Sequence, residues 1–327
     1  MPYSAMIVAR ARQKLAEEKE NRQSQYRMRL QEAYDAIPRL RQLDTQIRSS
    51  MTLAAQAVFT QGGDPVATME AVKRNNLALQ QERRELVEER FPQGWLDEEP
   101  VCAACGGSGY LGSHMCNCLR RLCALEQKKE IAQLTTGAER FETFRLEYYP
   151  DRVYPDYGVN ARQLMQRNLA YCRDYANSFA PDARNLLFVG GTGLGKTFLS
   201  ACIANTVADK GYSIAYESAP QLFAKLEKNR FDPDETSRLE AEKFATCDLL
   251  IIDDLGTEMP GNFVTAALYS LVNDRLLGGR PMIVSTNLNV EEIAQRYNPQ
   301  IASRFQGSFK RLTFVGEDIR VQKSREY

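Results

Sequence analysis

Through roughly the first ninety residues, apolar positions recur every three or four residues. Tyr26, Leu30, Ala33, Ile37, Leu40, Leu43, Ile47 and Met51 share one face at that period, so residues 4 to about 90 are expected to be helical. Pro38 suits a first helical turn and predicts a new helix there. Gly62, Gly63, Asp64 and Pro65 mark a break, with Asp64 a candidate N-cap and Pro65 at the first helical position. A third helix then runs from about 65 to 90. Such a region is a small bundle, and a bundle without chemistry of its own serves to dock a partner.

The pattern changes twice more. Residues 101–123, VCAACGGSGYLGSHMCNCLRRLC, are rich in cysteine and glycine. A further helical stretch and an aromatic connector follow, with Phe141, Phe144, Tyr148, Tyr149, Tyr154 and Tyr157. From about 160, short apolar runs alternate with helical patterns. The runs are Leu186–Val189, Ser213–Tyr216, Asp248–Ile252, Pro281–Ser285 and Arg311–Val315. This alternation predicts an α/β fold with a parallel sheet covered by helices on both faces.

Composition narrows the function classes. The 327 residues are 43% hydrophobic and 26% charged, enough to bury a core. Forty-two basic residues balance 42 acidic ones, so any contact with nucleic acid must come from a local patch. No apolar run approaches the ~18 residues of a membrane span, and the N-terminus lacks the shape of a signal peptide, so a soluble cytoplasmic protein is expected. The single histidine, His114, argues against a Ser-His-Asp or Cys-His hydrolase and against a multi-histidine metal centre.

Four segments carry chemistry. NLLFVGGTGLGKTFLS contains G-x-x-x-x-G-K-[ST] as Gly190, Gly195, Lys196 and Thr197, after a strand and before a helix. Gly190, Gly191, Thr192, Gly193, Leu194 and Gly195, with Phe198 beyond, would surround the phosphates of ATP or ADP. Lys196 would reach the β and γ phosphates, and the Thr197 hydroxyl would ligate Mg²⁺. CDLLIIDDLG ends an apolar strand on Asp253 and Asp254. Asp253 would hold Mg²⁺ through water and Asp254 would polarise the attacking water. In PMIVSTN, Asn287 or Thr286 would sense the γ-phosphate. Arg304, in ASRF, reads by spacing alone as a surface arginine.

Cys102, Cys105, Cys116 and Cys118 form C-x₂-C-x₁₀-C-x-C. Four thiolates satisfy tetrahedral Zn²⁺ and leave no position open for chemistry, so the site reads as structural. His114 or Cys123 would be alternative ligands. Cys172, Cys202 and Cys247 lie in apolar patterns and are expected in the core.

Residues from about 100 to 320 resemble the DnaC/DnaI helicase loaders and the related IstB-type transposition ATPases, which are AAA+ proteins. CAACGGSGY with CNC, FETFRLEYY, GGTGLGKT, LLIIDDLG, VSTNLN, ASRF and GEDIR carry the resemblance. It implies that Arg304 is an arginine finger for a neighbouring subunit and that Arg320 approaches nucleotide. Only twelve residues follow Val315, too few for the helical lid of most AAA+ proteins, so a neighbour would help enclose ATP.

The expected organisation is a helical partner-binding domain at 1–95, a zinc module at 96–135, a linker at 136–159 and an AAA+ domain at 160–327. The region 1–95 carries 15 basic and 12 acidic residues, too small an excess for a DNA-wrapping arm. The resemblance implies a loader whose N-terminal helices dock on a ring-shaped replicative helicase. Its ATPase domains self-associate around single-stranded DNA, and its ATP hydrolysis is weak and assembly-dependent. An IstB-like regulator of a transposase is the alternative. A nucleotide-gated adaptor that barely hydrolyses ATP also stays open, because Asp254 reaches less far than a glutamate. A small-molecule kinase would need an arginine-rich lid, and none is visible.

Overall fold

The computed structural model describes residues 3–61, 65–134, 139–155 and 158–324, the side chains of 51–69 and 134 excepted. The expected break at Gly62–Asp64, the capping role of Asp64 and the connector residue Tyr157 lie outside the described residues. The chain divides into two compact units, Lys14–Ser113 and Met1–Gln13 with His114–Tyr327.

The N-terminal region contains α1 (Ala5–Ala36), α2 (Pro38–Gln61) and α3 (Pro65–Arg90). Two helices begin on prolines, as the fixed φ of that residue favours. In the Lys14–Ser113 unit, the apolar face predicted from the sequence is buried at Ala33, Leu40 and Leu43. Val87 and Leu96 close over it, with Phe91 stacked on Trp95 at 5.4 Å. Asp44 accepts from Tyr34 Oη at 2.8 Å and from Arg83 Nε at 2.7 Å, tying α1, α2 and α3 at one point.

Two-residue strands β1 (Tyr110–Leu111) and β2 (His114–Met115) precede α4 (Asn117–Leu134). The connector forms two short 3₁₀ turns, Phe141–Thr143 and Leu146–Tyr148, and a small antiparallel ladder of β3 (Val153–Tyr154) with β4 (Val159–Asn160). The Asn160 side chain accepts from Gln163 N and starts α5 (Ala161–Asn177).

The core sheet has five parallel strands, β5 (Asn185–Val189), β6 (Ile214–Ser218), β7 (Leu249–Leu255), β8 (Met282–Thr286) and β9 (Phe309–Thr313). Their order is β6-β7-β8-β5-β9. Its strands read as continuous apolar runs because both faces are covered. Phe188, Ile251 and Ile283 face the layer of α4, α5 and α6 (Lys196–Asp209). Leu187, Leu250 and Val284 face α7 (Ala219–Phe231), α8 (Glu235–Thr246), α9 (Asn262–Leu277) and α11 (Pro299–Ser308). The short α10 (Val290–Arg296) and α12 (Ile319–Ser324) are the remaining helices among the described residues. Cys172, Cys202 and Cys247 are buried in this core as expected. Among the described residues, no helix is long and apolar enough to cross a membrane.

This strand order decides where chemistry can occur. β5 lies beside β8, and β8 beside β7, all pointing the same way. The loops that leave their C-terminal ends therefore meet, and in open α/β sheets that crevice is where ligands bind.

Candidate functional site

β5 delivers the chain into the glycine loop, and Gly190 N donates to Thr286 O of β8 at 3.3 Å. At Gly190 a Cβ would come within 2.3 Å of Phe314 O. Gly195 has φ 87°, and a Cβ there would meet Tyr149 Oη at 2.8 Å. Both positions therefore demand glycine. The loop leads straight into α6, whose first-turn N–H groups and dipole favour an anion. Lys196 opens that helix and is 4% exposed. Its Nζ donates to Gly190 O, Gly191 O and Asn287 Oδ1 at 2.6, 2.7 and 2.6 Å. Burial lowers its pKa, while the charges of Asp254 and Asp253 oppose that shift.

The acid pair sits on a bulge. β7 pairs Ile252 with Val284 and then Leu255 with Thr286, so β7 spends one residue more than β8 over this stretch. Asp254 takes up the irregularity at φ 54°, the one positive φ outside glycine among the described residues. A left-handed aspartate is locally strained, and such strain gathers at functional sites. Asp253 is 5% exposed. It accepts from Tyr216 Oη at 3.0 Å and from Ser285 Oγ, while Ser285 Oγ accepts from Asp254 N at 2.9 Å. Burial holds the Tyr216 phenol well above its ordinary pKa, so it remains a donor. The same hydroxyl lies 3.5 Å from Thr197 O, joining the acid strand to the helix that carries the threonine. Burial first, and the charge of Asp253 second, raise the Asp254 carboxyl above 3.8.

Of the two sensor candidates, the structure brings Asn287 to Lys196 and withholds Thr286. Thr286 is fully buried; its hydroxyl donates to Leu255 O at 2.6 Å and accepts from Leu288 N at 3.1 Å. Its polar group is consumed in holding the bulge. Arg320 lies in the first turn of α12, whose Ile319 N donates to Gly193 O at 3.0 Å. Its charge acts on both Lys196 and Asp254, so α12 stands at the loop. Arg304 lies on α11 and donates to Tyr269 and Asn273 of α9.

The sequence did not single out Tyr216 and Ser285. The aromatic connector, by contrast, is largely packing. Tyr149 is fully buried and donates to Leu194 O at 2.8 Å. Phe144 stacks on it at 5.6 Å and meets Phe198 edge-on, which braces the glycine loop from below.

Cys102, Cys105, Cys116 and Cys118 bring their four sulfurs within 4.8 Å of one another. Tetrahedral zinc at ~2.3 Å from each sulfur needs them about 3.8 Å apart, so small adjustments suffice. Gly106 N donates to Cys102 O at 2.8 Å and Gly109 N to Cys105 Sγ at 3.3 Å, the donor arrangement of a knuckle around a thiolate. Neither His114 nor Cys123 belongs to this group. Cys123 is fully buried, and burial pushes its thiol up to about 11.

Residues 139–322, more than half of the chain, match the family described as IstB-like ATP binding protein. The chain belongs to that family. This IstB-like chain is 25% identical over 152 residues to the replicative helicase loader DnaC of Escherichia coli, covering 46% of this chain and 61% of that one. It is 29% identical over 147 residues to a putative insertion sequence ATP-binding protein of Sinorhizobium fredii, covering 43% and 59%. It thus spans about three fifths of the length of these relatives. Among solved structures, the crystal structure of the DnaC helicase loader aligns with TM-score 0.46 and 20% identity, over 54% of this chain and 97% of that one. An ATP-binding family and a parallel five-stranded sheet with a glycine loop make this an ATP-binding α/β protein.

Proposed function

We propose that the protein is an ATP-gated assembly factor that loads the replicative DNA helicase onto single-stranded DNA. The observation that carries this reading is the division of the machinery. The glycine loop, Lys196, Asp253, Asp254 and Asn287 converge at one crevice, while Arg304 is held on α9 by Tyr269 and Asn273. In this reading a neighbour supplies the arginine.

In this reading the loop amides from Gly190 to Thr197 bind the ATP phosphates and Lys196 exchanges its carbonyl partners for phosphate oxygens. Thr197 and Asp253 would hold Mg²⁺, which supplies charge neutralisation at the β and γ phosphates. Tyr216 and Ser285 orient the Asp253 carboxylate. Asp254 polarises the attacking water, Asn287 senses the γ-phosphate and Arg320 approaches the nucleotide. Arg304 of one subunit stabilises charge on the phosphoryl group held by the next, so turnover is weak in isolation and rises on assembly. The α1–α3 region docks on the helicase ring, the assembled ATPase domains guide single-stranded DNA, and Cys102, Cys105, Cys116 and Cys118 hold Zn²⁺. Similarity to a replicative helicase loader supports this choice.

Similarity to an insertion-sequence ATP-binding protein favours a second reading, an ATPase that regulates a transposase. Co-purification of the full chain with the replicative helicase of its own cell, with and without ATP, separates the two. ATP-dependent capture of helicase supports the loader. Capture of a transposase without helicase overturns it.

A further inference from the structure

Arg304 projects from α11, a helix fixed at its start by Asn298, whose side chain accepts from Ile301 N at 2.8 Å. Ile301 and Phe305 bury its inner face, and Phe305 packs edge-on against Phe309 at 4.9 Å. The facing helix α9 is equally anchored by buried Leu268, Leu271 and Val272. Tyr269 and Asn273 stand four residues apart on α9 and so share one face. The Arg304 guanidinium carbon lies 4.4 Å from the Tyr269 ring centroid. Its Nη2 donates to Tyr269 Oη at 3.0 Å and to Asn273 Oδ1 at 2.8 Å. Both bonds use the same nitrogen, which leaves Nη1 and Nε without a hydrogen bond to the described residues. All three side chains are half-buried.

An unrestrained arginine samples many rotamers and must give them up when it meets a phosphate. Here the cation–π contact seats the guanidinium over the Tyr269 ring, and the two bonds from Nη2 fix its orientation there. Nη1 and Nε keep their N–H groups for phosphate oxygens, one bond from each, because either bidentate fork of a guanidinium would also need Nη2. Resting on the reading of Arg304 as a finger for a neighbour's nucleotide, we propose that Tyr269 and Asn273 are positioning residues that preset Arg304 for phosphate. They act through Arg304, on the next subunit's reaction, from two rigid helices.

Mixing full-length variants tests this. Lys196→Ala subunits keep Arg304 and cannot use ATP; Arg304→Ala subunits keep the phosphate loop and lack the finger. ATP turnover that appears only on mixing supports the finger reading, and its absence overturns that reading and the inference with it. The donor is then replaced by Lys196→Ala carrying in addition Tyr269→Ala, Tyr269→Phe or Asn273→Ala. Turnover in the mixture should fall about 10- to 100-fold for Tyr269→Ala and less for the other two. Co-sedimentation and the acceptor's ATP affinity should be unchanged. The same substitutions placed in the Arg304→Ala acceptor should leave turnover in the mixture intact, whereas a merely structural role would impair both partners. Equal turnover from every donor, higher turnover from the altered donors, or equal damage in the acceptor overturns the proposal. Thermal melting verifies folding, and Tyr269→Phe, which keeps the ring, carries the test if Tyr269→Ala does not fold.

Discussion

The phosphate loop and the cysteine knuckle are both glycine-rich turns, and they are held in shape by different forces. The loop rests on strands whose side chains are sealed from solvent, with Phe314, Tyr149 and Phe144 packed against it. The knuckle has almost nothing beneath it. From Val101 to Met115 the one buried residue is Gly109, and Leu111 is 49% exposed. Area removed from water stabilises the first at roughly 25 cal/mol per Å². The second must draw on bonds to a metal or have no fixed shape. On the zinc reading, one region is prefolded for its ligand and the other would be folded by it.

Removing metal attacks that contrast where it is largest. Structural zinc contributes about 10–16 kcal/mol of apparent binding free energy in small cysteine sites, so a strong chelator should unfold residues 101–118. We expect rapid proteolysis within this segment after chelation and about one zinc per chain before it. ATP affinity should persist. Cys102→Ser should lower the zinc content; an undiminished content would remove Cys102 as a ligand. Loss of ATP binding on chelation would show that the two regions are not independent.

Lys196→Ala is the reciprocal test. On the proposed reading it deletes at least two charge-assisted hydrogen bonds to phosphate, each worth about 1.5 kcal/mol or more, so ATP affinity should fall at least ~100-fold. Zinc content should not change. Calorimetric titration and metal analysis on the same sample check both, and retained affinity would relocate the phosphate site.

What was legible in the sequence follows the same divide. The loop, the acid pair and the four cysteines are local patterns, readable because their spacing alone dictates their geometry. Pro38 and Pro65 were readable as helix starts for the same reason. The partners of those patterns were not. Ser285 stood in view within VSTN, but its role requires knowing that β8 lies beside β7. Tyr216 read as one more apolar strand residue, and only the β6–β7 pairing puts its hydroxyl on Asp253. Thr286 and Asn287 could not be ranked from composition, because the strand ends between them. The connector aromatics were ambiguous in chemistry, since base stacking and core packing use the same rings. Phe141, Phe144 and Tyr149 resolve as packing. Arg304 is a like case, because Tyr269 and Asn273 precede it by more than thirty residues.

Ser285→Ala tests whether such unseen partners matter. Ser285 Oγ is fully buried and serves Asp253 and the backbone of Asp254 together. Removing it leaves an orphaned buried N–H and a less restrained carboxylate, at a cost of about 1–3 kcal/mol. We expect a lower Tm and a raised requirement for Mg²⁺ in ATP turnover, with phosphate-loop binding retained. An unchanged Mg²⁺ dependence would remove Ser285 from the site.

The smallest effect concerns Asp254, where the well-packed region carries a cost of its own. Burial and the neighbouring Asp253 make ionisation unfavourable, so the folded chain holds this proton to higher pH than the unfolded chain, whose value lies near 3.8. The associated stability is complete below that value and is lost as pH rises through the raised folded value. Above that raised value the carboxylate bears the penalty in full, in a backbone conformation at φ 54°. An asparagine at this position would lack the charge and accept the same left-handed geometry. Asp254→Asn should therefore raise the Tm of the nucleotide-free protein at pH 7 by a few degrees at most, at about 2–4 °C per kcal/mol. The advantage should narrow as pH is lowered, because the wild-type acid then protonates. ATP turnover in the assembled state should drop sharply. A variant that is no more stable than wild type would mean that the Asp254 charge carries no penalty, and one that still turns over ATP would mean that it polarises no water.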